Sequence, residues 1–346
     1  MIILVLNSGS SSIKYKLFDI TEKKENLIEK GQVERIGEKV PDHKAALDII
    51  LKKLDGSIEA VGHRVVHGGD RFKESTLIND EVVRIVEGFN ELAPLHNPPS
   101  LLTINESRKA LPEIPHVAVF DTAFYQTMPE HVYLYAIPYD YYKKYKIRKY
   151  GFHGTSHRYV AGQASRILKK DLNDLNLITC HLGNGCSVTA IKKGKAIDTS
   201  MGFTPLGGLI MGTRSGDLDP TIVSFMMEKE SISIEEAMDI LNKKSGLLGI
   251  SGITNDMREI MEQKATNPRA KLAMDMFFYR IKKYISAYIG IIGNVHGVIF
   301  TGGIGENQSG LMKDICKDIV SDKTKVLIIS TDEELMIAKD TYKVVS

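Results

Sequence analysis

Residues 2–12 read Ile-Ile-Leu-Val-Leu-Asn-Ser-Gly-Ser-Ser-Ser, and residues 177–187 read Leu-Ile-Thr-Cys-His-Leu-Gly-Asn-Gly-Cys-Ser. Each is a short apolar run that ends in a turn of glycine and small polar residues. Each then leads into a second apolar run, over 13–19 and 187–192. Two strand–turn–strand units on one plan, one in each half of the chain, indicate a duplicated domain. Taken singly, either is also an ordinary hairpin, because Asn, Gly and Ser dominate such turns. The same turns suit an anion: glycine has no Cβ to keep backbone N–H groups away from a ligand, and the hydroxyls add donors. A third stretch, Thr301-Gly-Gly-Ile-Gly-Glu-Asn307, follows a strand at 295–300 and opens a helix, a place where phosphate is readily held. None of the three matches G-x-x-x-x-G-K-[ST] or G-x-G-x-x-G, which disfavours the common nucleotide-binding folds.

Outward from these turns the pattern alternates between strands and helices. Strands are expected at 2–6, 13–19, 58–66, 116–120, 177–182, 187–192, 295–300 and 325–329. Helices are expected at 45–54, 80–92, 99–111, 220–230, 233–244, 267–289 and 331–342. Ser233-x-x-Glu236 reads as a capping box, and Asn267-Pro268 as a helix start. The fold class is α/β. A chain of 346 residues with 43% hydrophobic and 25% charged residues has the mass for about two domains and excludes a disordered protein. The tyrosine-rich, basic stretch 139–149 is the natural boundary. A net charge of +2 makes no case for nucleic acid or an anionic membrane as partner. Cys180, Cys186 and Cys316 are too few for a disulfide framework and wrongly spaced for zinc, so a reducing, cytoplasmic compartment fits. No secretory leader is legible, and no apolar run approaches the ~18 residues of a membrane span.

Two anion-binding hairpins with a strand–glycine loop–helix element resemble the plan of the duplicated actin-like (ASKHA) fold, two domains with a cleft between them. The resemblance then narrows. Asn7-Ser-Gly-Ser-Ser-Ser12, Gly62-His-Arg-Val-Val-His-Gly-Gly69, Leu92-Ala-Pro-Leu-His-Asn-Pro-Pro99, Phe120-Asp-Thr-Ala-Phe124, Tyr150-Gly-Phe-His-Gly-Thr-Ser-His157, His181-Leu-Gly-Asn-Gly185, Met211-Gly-Thr-Arg214 and Gly303-Ile-Gly-Glu-Asn307 look, in order and over nearly the whole chain, like the signatures of the acetate kinases. The resemblance implies an N-terminal domain over 1–148, with a helix at about 332–346 packing back on it. It also implies a nucleotide-binding domain over 149–331. The implied reaction is reversible transfer of the ATP γ-phosphoryl to acetate, in a cytoplasmic homodimer that needs neither nucleic acid nor membrane.

Residue by residue, the resemblance carries over Asp121, His153 and Arg214 as catalytic. Arg64, Val66, Leu95, His96, Phe152 and Pro205 fall at substrate-binding positions, the apolar ones as a cup for the methyl group. Ser10, Ser12, Lys14, His181, Leu182, Gly183, Asn184, Gly185, Asp256, Met257, Arg258 and Gly303, Ile304, Gly305, Glu306, Asn307 fall at nucleotide positions. Asn7 and Glu333 are the implied contacts of Mg²⁺ (or Mn²⁺), which accompanies ATP/ADP. The residue types suit the chemistry, since a guanidinium grips carboxylate or phosphoryl oxygens in a way lysine cannot, and histidine can donate to a phosphoryl oxygen. Several also have plain structural readings: Asp121 as a turn cap, Asp256 and Arg258 as a solvated pair, Glu333 as an acidic helix start. His67, His131 and His157 read as structural, and Arg71 and Arg148 as surface.

The chain departs from the pattern in being shorter, near 38–42 and between 307 and 325. Asp332 also stands where asparagine is usual, which adds negative charge beside Glu333. The second shortening threatens nucleotide binding or part of the second domain. The rival readings are a propionate or butyrate kinase, a shortened and weakly active ATP-binding paralogue, and an actin-like ATP-dependent binding protein.

Overall fold

Ile3, Leu4, Val5 and Leu6 are all buried, so the run Ile2–Ser8 (β1) forms a strand covered on both faces. Leu4 and Leu6 pack with Leu47 and Ile50 of the helix His43–Lys53, whereas Ile3 and Val5 pack with Ile337 and Ala338 of the helix Glu333–Val345. That is the period of two of a strand sandwiched between helices. The computed structural model describes residues 1–54, 57–94 and 96–346. By its contacts the chain forms two units. One gathers Met1–Gln126, Gly154–Tyr159 and Asp332–Ser346, and the other Thr127–His153 and Val160–Thr331.

In the first unit β1 pairs antiparallel with Ser12–Ile20 (β2), which pairs antiparallel with Glu25–Glu34 (β3). On its other side β1 pairs in parallel with Ala60–Val65 (β4), β5 is Thr76–Leu77, and His116–Phe120 (β6) runs parallel to β4. The sheet order is β3-β2-β1-β4-β6-β5. In the second unit Asn176–Leu182 (β7), Cys186–Lys192 (β8) and Lys195–Thr199 (β9) form an antiparallel meander. Gly297–Thr301 (β10) and Lys325–Ile328 (β11) add to β7 in parallel, in the order β11-β10-β7-β8-β9. Apart from β5, the two sheets have one topology, so the duplication inferred from the two turns is present in the strand order.

Helix Glu333–Val345 lies on β1, β4 and β6 at very close range. A Cβ on Gly62 of β4 would stand 2.4 Å from Thr341 Oγ1 and 2.8 Å from Ile337 Cγ2, so only glycine lets the helix settle there. In the second unit Pro268–Ile292 starts under an Asn267 cap and packs on β7 and β8, burying Phe277, Ile281 and Ile285 at helical spacing.

Several expectations are corrected. The helix expected at 80–92 stops at Glu87 before Gly88, and the one expected at 99–111 begins at Asn97. The Ser233–Glu236 capping box is present, but its α-helix ends at Asp239 and Ile240–Lys244 is a π-turn. The sequence reading omits β3, β9 and the helix Gly154–Leu168. Arg148 is not a surface residue. It is 5% exposed, with its guanidinium 3.6 Å above the Tyr133 ring and 5.4 Å from that of Tyr150, where the aromatic faces stabilise a buried cation. The shortened segment after Asn307 still forms the helix Ser309–Cys316, with Met312 and Cys316 buried, and still delivers β11 to the sheet. Near 38–42 the chain makes a tight turn on Gly37 and enters the helix His43–Lys53 through an Asp42 cap.

Candidate active site

Three adjacent parallel strands of the first unit, β1, β4 and β6, carry Asn7 and Arg64 one residue before their ends and Asp121 one residue after, at the carboxyl edge where open α/β sheets gather ligands. Arg64 donates to Asp121 Oδ2 through Nη2 at 2.7 Å and Nε at 3.2 Å, and through Nη1 to Asn7 Oδ1 at 3.3 Å. Thr155 Oγ1 donates to the other oxygen, Asp121 Oδ1, at 2.8 Å. Glu333, at the start of the helix on this sheet, has Oε2 at 3.6 Å from Arg64 Nε. Burial works against the charge on Arg64, but Asp121, Glu333 and Glu334 outweigh it and hold the guanidinium protonated more firmly than usual. Burial pushes the Glu333 carboxyl up to about 7, with Asp121 and Glu334 adding to the rise and Arg64 and Lys14 opposing it.

Lys16, which the sequence reading passed over, pairs with Asp332 Oδ1 at 2.8 Å and Glu334 Oε2 at 3.2 Å. Asp332 also caps the helix by accepting from Leu335 N–H. The extra negative charge at this position is therefore neutralised by Lys16. Glu334 accepts from Asn7 Nδ2 at 3.3 Å, and its carboxyl stays below the usual range because Lys16 and Asn7 together outweigh its burial. The turn after β1 closes through Gly9 N–H to Ser12 C=O at 2.8 Å, and His43 Nε2 sits 2.9 Å from the Gly9 carbonyl. Ser10 and Lys14 are exposed on this hairpin and Ser12 is half-buried. Val66 is buried just beyond β4, and His96 precedes the helix Asn97–Ala110. Leu95 lies outside the described residues. The buried Asn97 links these two segments, accepting from His67 N–H at 3.1 Å and donating to the His67 carbonyl at 3.0 Å.

The second unit holds a separate constellation. His153 stacks on His181 with centroids 4.3 Å apart, and its Nδ1 is 2.9 Å from Ser187 Oγ. A Cβ on Gly185 would lie 3.3 Å from His153 Nε2 and 3.6 Å from Arg214 Nη1, so His153, Gly185 and Arg214 converge. Arg214 donates to the Pro205 carbonyl at 3.3 Å, and among the described residues it forms no ion pair. Burial lowers its pKa. A half-buried guanidinium beside a glycine loop with no carboxylate of its own is suited to an incoming anion. Phe152 is buried next to His153, and Leu182 is buried at the end of β7.

Gly183, Asn184, Asp256, Met257, Arg258, Gly303, Ile304 and Asn307 line one cavity of about 410 Å³. Asn255 and Gln308 line it too and were missed in the sequence; Asn255 Nδ2 donates to Asn184 Oδ1 at 3.1 Å. Three stretches far apart in the chain thus meet, and the volume is that of a small-molecule site. Asp256 and Arg258 form a bidentate pair at the rim, with Arg258 77% exposed. Gly305 and Glu306 serve the loop itself. Glu306 Oε1 accepts from Gly302 N–H at 2.9 Å, Thr301 Oγ1 at 3.2 Å and Thr331 N–H at 3.3 Å, and Gly305 is buried against Phe300.

The sequence model of the acetokinase family matches residues 2–321. The chain belongs to the acetokinase family. An acetate kinase from Halothermothrix orenii is 49% identical over 398 aligned residues, with all of both chains covered. That alignment is longer than the 346-residue chain, so the relative carries insertions that this chain lacks. The crystal structure of Porphyromonas gingivalis acetate kinase matches with a TM-score of 0.94 at 44% identity, covering all of both chains. That of a propionate kinase from Francisella tularensis matches at 0.89 and 40%, covering 99% of each. Among the described residues, no helix of this acetokinase-family chain is long and apolar enough to cross a membrane.

Proposed function

We propose that this kinase transfers the γ-phosphoryl of ATP reversibly to acetate, giving acetyl phosphate and ADP. The observation that carries the reading is Arg214, a half-buried guanidinium without an ion pair that converges with His153 on the Gly185 turn, beside a cavity lined by glycine loops. Family membership supplies the acceptor class.

A carboxylate oxygen of acetate attacks the γ-phosphorus. The new O–P bond forms as the bond to the β–γ bridging oxygen breaks, and ADP leaves with that electron pair. Acetate is ionised near pH 7, so the step needs no general base. Arg214 and His153 Nε2 donate to the equatorial oxygens, where the charge of the transferring group is spread. Arg64 retains N–H groups beyond those given to Asp121 and Asn7, and these hold the acetate carboxylate. Asp121, fixed in turn by Thr155, sets the plane of that guanidinium. Val66, Leu95, Phe152 and Pro205 are assigned to the methyl group, and the cavity between the Asn184, Asp256 and Gly303 loops to the nucleotide. Ser10, Ser12 and Lys14 are assigned to its phosphates.

The buried Asp121 carboxylate and the half-buried Glu333 and Glu334 gather around Arg64 and Lys16, and burial above all, with their mutual repulsion second, raises the Glu333 carboxyl. Among the described residues these carboxylates do not form a three-ligand metal cluster, but oxygen donors such as the Asn7 amide and the Glu333 carboxylate are the kind a hard divalent cation takes alongside phosphate oxygens. Asn7 and Glu333 would hold Mg²⁺ or Mn²⁺, which when bound screens phosphate charge. The three cysteines are free and buried, which suits the cytoplasmic assignment; a homodimer follows from the resemblance alone.

Hydroxylamine trapping of the acyl phosphate from MgATP with acetate, propionate or butyrate tests the function. The expected signal is strong with acetate and falls with chain length, since a methylene shifts binding in such a cup by ~1–3 kcal/mol. A stronger signal with propionate would move the assignment toward the activity named for the Francisella structure. No acyl phosphate from any acid would overturn it.

A further inference from the structure

We propose that Ser187 is a positioning residue for the transfer: its hydroxyl holds Nδ1 of His153, so that Nε2 carries the hydrogen offered to the moving phosphoryl group. The identity of the reaction rests on the acetate kinase reading above, whereas the hydrogen bond and its tautomer do not.

His153 sits at φ +59° and ψ 21°, a left-handed conformation that is costly for a residue with a Cβ. It stands directly before the helix Gly154–Leu168. The backbone there is held in an unusual shape, and the ring is held as well, from two directions. His181 covers one face with an interplanar angle of 28°, and Ser187 Oγ meets the Nδ1 edge at 2.9 Å. His181 and Ser187 are direct cross-strand partners in the β7–β8 ladder, so a single register position supplies both contacts. The opposite edge of the ring faces the Gly185 turn, where a Cβ would come within 3.3 Å of both Nε2 and Cε1.

A neutral imidazole carries one proton, and the partner of one nitrogen decides which nitrogen has it. A hydroxyl can donate or accept; donating to Nδ1, the direction proposed here, it leaves the proton on Nε2, the edge that faces Gly185 and Arg214, whereas accepting from Nδ1 would leave Nε2 without one. Ser187 is fully buried at the second position of β8, where burying a hydroxyl costs stability unless it is hydrogen-bonded. An apolar residue of similar size would pack there without that cost. The hydroxyl thus has a use at this position that packing does not require.

The test makes Ser187→Ala and Ser187→Thr in the full chain, each with and without His153→Ala. In Ser187→Ala, kcat is expected to fall about tenfold, with KM for ATP and for acetate within about twofold of the parent. Ser187→Thr, which keeps the hydroxyl, is expected to recover kcat to within about threefold. Once His153 is already alanine, Ser187→Ala is expected to change nothing further, as for two residues acting through one interaction. ¹⁵N chemical shifts of the histidine side chains in the unmutated protein are expected to show His153 protonated at Nε2. The same loss of kcat in the His153→Ala background would make Ser187 merely structural and overturn the proposal, as would a proton found on Nδ1. The nitrogen shifts require neither turnover nor a variant that folds. A failure to form acetyl phosphate therefore removes the proposed reaction and leaves the tautomer measurement to decide the hydrogen bond.

Discussion

Replacing Gly185 by alanine adds one methyl group at the point where the second unit's functional side chains meet. The new Cβ lies 3.3 Å from His153 Nε2 and Cε1 and 3.6 Å from Arg214 Nη1. Gly185 has no left-handed backbone, so alanine meets no conformational penalty, and its N–H remains available to a phosphate. The contact at 3.3 Å is tight without being prohibitive. The ring of His153 must retreat by a few tenths of an ångström, while His181 covers its face and Ser187 holds its Nδ1 edge. The cost to folding is expected to stay below about 1 kcal/mol, the low end of overpacking. Catalysis is more sensitive: a misplacement of ~1 Å can cost ~100-fold, so a shift of a third to a half of that is expected to lower kcat roughly 5- to 10-fold. The assay is the initial rate of hydroxamate formation at saturating MgATP and acetate, beside a thermal melt of the same preparation. An unchanged kcat at an unchanged melting temperature would refute the convergence of Gly185, His153 and Arg214 as the reacting centre. A melting temperature lower by ten degrees or more would show that the methyl is felt by the fold instead.

The two arginines are expected to separate stability from activity. Arg214→Ala should lower kcat by ~10²–10³ while leaving the urea midpoint unchanged or slightly higher, because it removes a half-buried charge without an ion pair. Arg64→Gln should also abolish activity, but at a cost of about 3 kcal/mol in unfolding free energy, because it strands the buried Asp121 carboxylate; equal midpoints for the two variants would contradict this. Gly62→Ala should destabilise by about 1–3 kcal/mol by driving Thr341 and Ile337 off β4, with partial recovery in Gly62→Ala/Thr341→Ala; a melt shows either. Burial pushes the His67 imidazole down to about 4, and burial lowers His63 and His116 as well. These groups are neutral when folded and take up protons on unfolding below about pH 6.5, so their contribution is complete above that pH and is lost as the pH falls toward 4. At pH 5 the loss from His67 alone is roughly 2 kcal/mol, which urea titrations at pH 7.5 and 5 would reveal.

The strands of both central hairpins were legible because each is a short apolar run ended by glycine and small polar residues. β3 was not, since four of its ten residues are charged and none is buried at this sheet edge, so there is no apolar face to leave a period of two. The helix Gly154–Leu168 was hidden by its own start: Gly-Thr-Ser-His after a left-handed His153 reads as a loop. At the site, Asn7, Arg64 and Asp121 could be picked out because each stands in a stretch that resembles an acetate kinase signature. Lys16, Asn97, Thr155 and Ser187 could not, because what singles them out is a neighbour distant in the chain: Asp332 and Glu334, His67, Asp121 and His153 respectively. Arg148 was misjudged for the same reason, as its environment is made by Tyr133 and Tyr150 once they are folded around it.

The helix Glu333–Val345 covers one face of a sheet whose strands all lie within the first 120 residues. During translation those strands emerge with the apolar side of β1, β4 and β6 uncovered, and they stay so until almost the whole of the second unit has been made. The usual vectorial order, in which the segment made first folds first, is inverted here. The unit that begins the polypeptide is the last to be finished. Until residues 333–345 leave the ribosome, Ile3, Val5, Val117 and Val119 lack the cover of Ile337 and Ala338, and apolar surface left open in this way is what chaperones shield in growing chains.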